Sequence, residues 1–274
     1  MKKILLGLIG ILILISLGGL VFIQLKNGEN LSQGKEPSFQ EDYLYQFPRI
    51  APVEAYTIIL VGDSMTKALG PNTDSLRKYL SLHYPDKVFG IFNYGIGSTN
   101  ILSLQERLKD YTFDLEQLHP PILEREFDLI IIESFGHNPL SQFPLGEGLK
   151  KQSEVLDRAV ESLITTHPES GIVFLATIAP SRLTYGQGAV ELTEEQRKNW
   201  VEERIAYIEN HIQYANLHNI PLINVYQASL NSLGKVDMIY VNPDDNIHPS
   251  GEGIDLISRE IAEFIFQNHL LILK

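Results

Sequence analysis

The chain has no cysteine. That absence excludes disulfides, thiolate metal sites, cysteine nucleophiles and lipid attachment through a cysteine. For an exported domain it leaves the core alone to supply stability. Basic residues are scarce as well: 22 Lys and Arg stand against 34 Asp and Glu, a formal net charge of −12. Such a balance offers no cationic footprint for nucleic acid, disfavours polyanionic substrates and repels an anionic lipid surface at long range. The histidines form no H-x-H or HExxH spacing, so neither a metal site nor a cofactor is expected. Internal repeats and low-complexity blocks are missing too. What remains is 274 residues, 44% of them hydrophobic, enough for one sizeable core and a single main domain.

The first residues stand apart from that core. Lys2 and Lys3 precede an uncharged apolar run from Ile4 to Leu25, long enough at ~1.5 Å per residue to cross a hydrocarbon layer of ~30 Å. Residues 1–25 are therefore read as an uncleaved transmembrane signal-anchor; a cleaved signal peptide is the alternative, although the run exceeds the usual ~7–15 apolar residues and no A-x-A-like site follows. Two lysines before the span and an acidic segment after it place the N-terminus in the cytoplasm and the rest outside. Residues 26–53 are polar and turn-rich, with scattered aromatics and no sustained period. They are expected to form an extracytoplasmic tether, reaching at most ~90 Å when extended, on which Tyr43, Tyr45 and Phe47 are candidates for docking onto the domain.

From residue 54 to 274, strand-like runs alternate with helical ones. Strands are expected at 57–61, 88–93, 129–134, 172–178 and 222–226. Helical patterns fill 75–82, 102–118, 148–167, 193–218 and the stretch after Ser250. In the third of these Leu156, Ala159, Val160, Leu163 and Ile164 share one face, and in the last Ile254, Ile257, Ile261, Phe264 and Ile265 do. Alternation of this kind predicts an α/β fold with a roughly five-stranded parallel sheet and helices on both faces. One irregular stretch, 179–195, follows a strand end and so belongs on the side where such sheets keep their ligands.

Three strand ends and one late loop carry chemistry. Gly62-Asp63-Ser64 closes the first strand, where a serine is either ordinary turn chemistry or an exposed nucleophile. Asp245 and His248 stand three apart before Pro249 and the last helix. That spacing lets a carboxylate orient an imidazole and leaves the other ring nitrogen free to take a proton from a hydroxyl. After the second strand, Gly97 can offer a backbone N–H to a developing oxyanion, and after the third, Asn138 can offer a side-chain N–H. Glu133 reads as a structural carboxylate, His137 as a loop histidine at the pocket rim, Tyr185 and Trp200 as packing, and Asp63 as a hydrogen-bonding support of the serine turn. Separately each element is a plausible turn, but together they supply nucleophile, oxyanion donors, orienter and base at one sheet edge.

These blocks, G-D-S at 62–64, N-x-G-x-G at 93–97, G-x-N at 136–138 and D-x-x-H at 245–248, resemble those of the SGNH hydrolase superfamily, the GDSL-like lipases and acylhydrolases. The resemblance covers about residues 55–270. It implies a three-layer flavodoxin-like fold, a Ser64–His248–Asp245 triad, and an oxyanion hole made by the Ser64 N–H, Gly97 and Asn138. Two departures stand out: Met65 replaces leucine after the serine, and Pro139 follows Asn138 where the family often has aspartate, which bears on the geometry of Asn138. The function expected is a membrane-tethered serine esterase acting outside the cell on small O-acyl groups, acetyl esters of cell-surface glycans in particular. A lysophospholipase or lipase and a catalytically idle carbohydrate-binding module are the alternatives. Expected partners are the small-molecule or glycan ester and the membrane; no nucleic acid is expected.

Overall fold

The computed structural model describes residues 44–114 and 117–272. The span expected at 1–25 and the tether as far as residue 43 lie outside the described residues. Among those described, no helix is long and apolar enough to cross a membrane.

Five strands make one sheet: β1 (Ala55–Gly62), β2 (Val88–Gly95), β5 (Leu129–Glu133), β6 (Gly171–Ala176) and β7 (Leu222–Asn224), in the order β2-β1-β5-β6-β7 with every pair parallel. β-branched and aliphatic runs suit a sheet covered on both faces, because successive side chains point to opposite sides. Ile58, Leu60, Leu129, Ile131, Val173 and Leu175 enter one core together with Leu76 and Leu80 of α2 (Asp74–His83) and Leu256, Ile257, Ile261 and Ile265 of α7 (Gly251–Gln267). Their neighbours Ile59, Val61, Ile130, Ile132, Ile172 and Phe174 enter the other. There they meet α3 (Leu104–Lys109), α4 (Leu145–Thr166) and α5 (Glu194–Leu217). The α4 stripe Val155, Leu156, Ala159, Val160 and Leu163 is buried. A capping box starts α5, with Gln196 N–H donating to Thr193 Oγ1 at 3.2 Å and Thr193 N–H to Gln196 Oε1 at 2.9 Å.

One expected helix is divided. Residues 101–103 form a 3-10 turn, α3 stops at Lys109, Asp110 turns extended, and an antiparallel hairpin follows from β3 (Thr112–Asp114) and β4 (Gln117–His119). Tyr111, Thr112 and Phe113 favour extended backbone, and Asp114 is held by Lys67 Nζ at 2.6 Å. The helical periodicity of 102–118 contained neither constraint.

Residues 44–53 lie on the domain. Tyr45 is buried, its N–H donates to the His218 carbonyl at 2.7 Å, and its hydroxyl accepts the N–H of Ile172 at 2.8 Å. Ile50 is buried in the core against α2 and α7.

The strand order has a consequence for ligands. After β1 the chain goes to β2 on one side and then crosses to β5 on the other. The carboxyl ends of β1 and β5 therefore flank the point where the winding reverses, the place where open α/β sheets bind their ligands.

Candidate active site

Ser64 opens α1 (Ser64–Lys67) directly beyond β1. Gly62 must be glycine: a side chain there would overlap Thr66 and the β-carbon of Glu133. Asp63 caps the short helix, its Oδ1 accepting the Met65 N–H at 2.8 Å. Its second oxygen accepts an N–H from the Asn138 amide at 2.8 Å. Asn138 keeps one amide N–H beyond that bond, so Pro139 has not turned its side chain away from the serine turn.

Asn138 comes from the turn after β5. Phe135 begins that turn with φ +53°, and the Asn138 N–H closes it on the Phe135 carbonyl at 3.1 Å. A bulky residue in the left-handed region costs on the order of 1–3 kcal/mol. The turn is held in that state by its surroundings, since Phe135 is buried and its N–H donates to Glu133 Oε1 at 3.0 Å. Gly97 follows β2, with Ser64 Cβ and Lys67 Cδ each 3.9 Å from the place a β-carbon would take. Its backbone therefore borders the turn that carries Ser64.

His248 Nδ1 lies 2.7 Å from Asp245 Oδ2. An ionised carboxylate only accepts, so the proton sits on Nδ1 and Nε2 presents its lone pair. Asp245 Oδ1 accepts the N–H groups of Ile247 at 2.8 Å and His248 at 3.0 Å. Burial pushes the Asp245 carboxyl up, but the bond from His248 and the two backbone N–H groups outweigh it, and its pKa is lowered. Among the described residues, Ser64 Oγ and His248 Nε2 make no hydrogen bond with each other. Catalytic bonds are often long without substrate.

The loop 179–192 backs this arrangement. Gly186 N–H donates to the Asn246 carbonyl at 3.3 Å, and Asn246 Nδ2 donates to the Gln187 carbonyl at 2.9 Å, so the irregular stretch packs on the loop that carries Asp245 and His248. His137 is buried rather than at the rim. Its Nε2 donates to the Ile178 carbonyl at 3.1 Å, its Nδ1 accepts from the Tyr185 hydroxyl at 3.2 Å, and that hydroxyl accepts from Arg204 Nε at 2.8 Å. Burial, opposed by the charge of Asp63, takes the His137 pKa down to about 4. The ring is a neutral bridge between the turn after β5 and the loop after β6. Trp200 is half exposed and lies under the Arg204 guanidinium, 4.7 Å from it.

One member of the neighbourhood was missed by the sequence reading. Arg107 of α3 is 1% exposed; its Nη1 donates to the carbonyls of Gly62 at 2.5 Å and Tyr94 at 2.8 Å, and its Nη2 to Ser103 Oγ at 3.0 Å and to Thr99 Oγ1. Burial lowers its pKa to about 10, against the opposing pull of Asp63 and Glu133. It staples the ends of β1 and β2 from beneath. An arginine inside a charged, apparently amphipathic helix carries no signal that it points inward. No cluster of metal-ligating side chains occurs among the described residues.

No protein-family model and no curated protein matches the sequence. Solved structures do match. The lipase/acylhydrolase from Enterococcus faecalis superposes with a TM-score of 0.55 at 17% identity, over 78% of this chain and 96% of its own. A GDSL-like lipase from Bacteroides thetaiotaomicron VPI-5482 gives 0.51 at 14% identity, over 78% of this chain and 89% of its own. At such identities the likeness is one of architecture, and it agrees with the strand order: the chain has the fold of GDSL-like lipases and acylhydrolases.

Proposed function

We propose that the domain is a serine ester hydrolase of the SGNH type, held outside the cell by an N-terminal membrane anchor. Ser64 Oγ attacks the ester carbonyl carbon while His248 Nε2 takes the hydroxyl proton, and Asp245 stabilises the imidazolium that results. The oxyanion is met by the N–H groups of Ser64 and Gly97 and by the second amide N–H of Asn138. Collapse breaks the bond to the alcohol oxygen, which leaves with the proton from His248. Water then resolves the acyl-enzyme by the same steps in reverse order. The observation that supports this reading is the 2.7 Å Asp245–His248 bond, made in a loop that packs on the stretch after β6, whose Tyr185 bonds His137 beside Asn138.

For substrate, small O-acyl groups of cell-surface glycans fit a tethered domain with net charge −12. A second reading, a lipase or lysophospholipase, is favoured by one feature: a cavity of about 340 Å³ beyond β6, walled by Ala179, Leu183, Ile205, Tyr226, Leu230 and Val236. Apolar walls of that size suit a longer acyl chain. Rates on p-nitrophenyl esters of rising chain length, for the parent and Ser64→Ala, separate the possibilities. Acetyl preference supports the glycan reading, a rate that climbs steadily with chain length selects the lipase, and unchanged hydrolysis by Ser64→Ala removes the nucleophile assignment.

A further inference from the structure

Glu133, the last residue of β5, takes no step in the reaction outlined above, yet its carboxyl joins the two turns on which that reaction depends. Oε2 accepts the N–H of Asp63, the residue before Ser64, at 3.2 Å. Oε1 accepts the Ser134 hydroxyl at 2.7 Å and the N–H of Phe135 at 3.0 Å. Phe135 is the left-handed residue that starts the turn ending in Asn138. The circuit closes on the far side, where Asn138 Nδ2 donates to Asp63 Oδ2 at 2.8 Å. Glu133, Asp63, Asn138 and Phe135 thus form one ring of contacts spanning the ends of β1 and β5. Every member but Asn138 is at most 1% exposed, so no solvent competes for these bonds.

We propose that Glu133 is a positioning residue of the oxyanion hole: it ties the turn presenting Ser64 to the strained turn presenting Asn138, and so sets where the Asn138 amide lies relative to the serine. This rests on the reading of Ser64 as nucleophile and Asn138 as oxyanion donor.

Charge in the ring agrees with that role. Two buried carboxyls side by side do not both ionise. Burial first, and the charge of Asp63 second, raise the Glu133 pKa well above the ordinary carboxylate range. Arg107 lies within electrostatic reach of Asp63 and Glu133, and His137 within reach of Asp63.

Both oxygens of Glu133 act as acceptors, whereas glutamine has one: it keeps an oxygen for Ser134 and Phe135 but sets an N–H against the Asp63 N–H, and so breaks the tie to the serine turn. Alanine and methionine supply neither acceptor, and methionine keeps the volume. In the full-length chain, Glu133→Ala and Glu133→Met are expected to lose roughly 10- to 100-fold in kcat with KM within about twofold, the pattern of a lost transition-state interaction, and Glu133→Gln, which breaks one of the two ties, to lose kcat as well but less than either. Should the alanine variant not fold, the methionine variant decides. A folded glutamine, alanine or methionine variant with parental kcat overturns the proposal, as does a loss confined to KM. Ser64→Ala, measured alongside, separates the two levels. If it is as active as the parent, the nucleophile reading has failed; if it is inactive while Glu133→Met is unimpaired, only the role of Glu133 has.

Discussion

A single carboxylate, that of Asp63, both caps the helix that Ser64 opens and holds the Asn138 amide, its two oxygens each 2.8 Å from the respective nitrogen. The proposed nucleophile and the proposed oxyanion donor are thereby referred to one buried side chain. Asp63→Ala removes both bonds, so it is expected to cost about 1 kcal/mol of stability through the lost cap and, in addition, to reduce kcat by at least tenfold. Urea unfolding and steady-state kinetics on the same preparation read the two effects separately. A variant that loses stability but keeps kcat would show that Asn138 needs no such support.

On the proposed mechanism, Ser64→Ala and His248→Ala remove different halves of one proton transfer. Each alone is expected to reduce turnover to the residual level supplied by the oxyanion hole, and the double variant to be little slower than either. Additive losses in a double-mutant cycle would mean that the two residues act in separate steps.

Asn138→Ala leaves nucleophile and base in place and deletes one oxyanion donor. The expected cost is roughly 2.7–4 kcal/mol in the chemical step, with KM nearly unchanged. Single-turnover measurements check this directly. A change confined to KM would make Asn138 a substrate-binding group instead.

Acid should destabilise the fold through two buried, neutral histidines. His137 titrates near 4 and His211, stacked on Phe174 at 4.4 Å, near 3, both lowered chiefly by burial. The unfolded chain binds these protons near pH ~6.5, so above that value neither histidine contributes a pH dependence. Below it the unfolded state takes up protons that the folded state refuses, and stability falls as pH drops towards the folded values. Between pH 7.5 and 5 the expected loss is roughly 2 kcal/mol per histidine, and His211→Phe should halve the total for the pair. Urea midpoints at the two pH values test it; an equal loss in the parent and the variant would remove His211 from the account.

Truncation distinguishes the two parts of the N-terminal region. Removing residues 1–26 leaves every described contact in place, and the domain is expected to fold. Removing residues 1–53 also strips Tyr45 and Ile50 from buried sites, each worth about 1.5–3 kcal/mol. The longer deletion should lower the urea midpoint sharply, and equal midpoints would show that the docked arm adds nothing to stability.

Much of this protein was legible in one dimension. The five strands of the sheet are short apolar runs, and the period of two along Ile58 to Val61 or Leu129 to Ile132 already assigns each side chain to one core or the other. Ser64, Gly97, Asn138, Asp245 and His248 could be singled out because each lies in a short motif at a strand end or before a helix, and Asp245 reaches His248 across three residues without needing the fold. The remaining decisions join residues far apart in the chain. Asn138 finds Asp63 across 75 positions and Asp63 finds Glu133 across 70, because β5 crosses over to pair with β1. Glu133 read as a structural strand-end carboxylate and Arg107 drew no notice, since composition and period carry no record of which neighbour will satisfy a polar group. The division of 102–118 into α3 and a hairpin has the same cause: its periodicity is helical, but Lys67, on another element, fixes Asp114 where a helix would not put it.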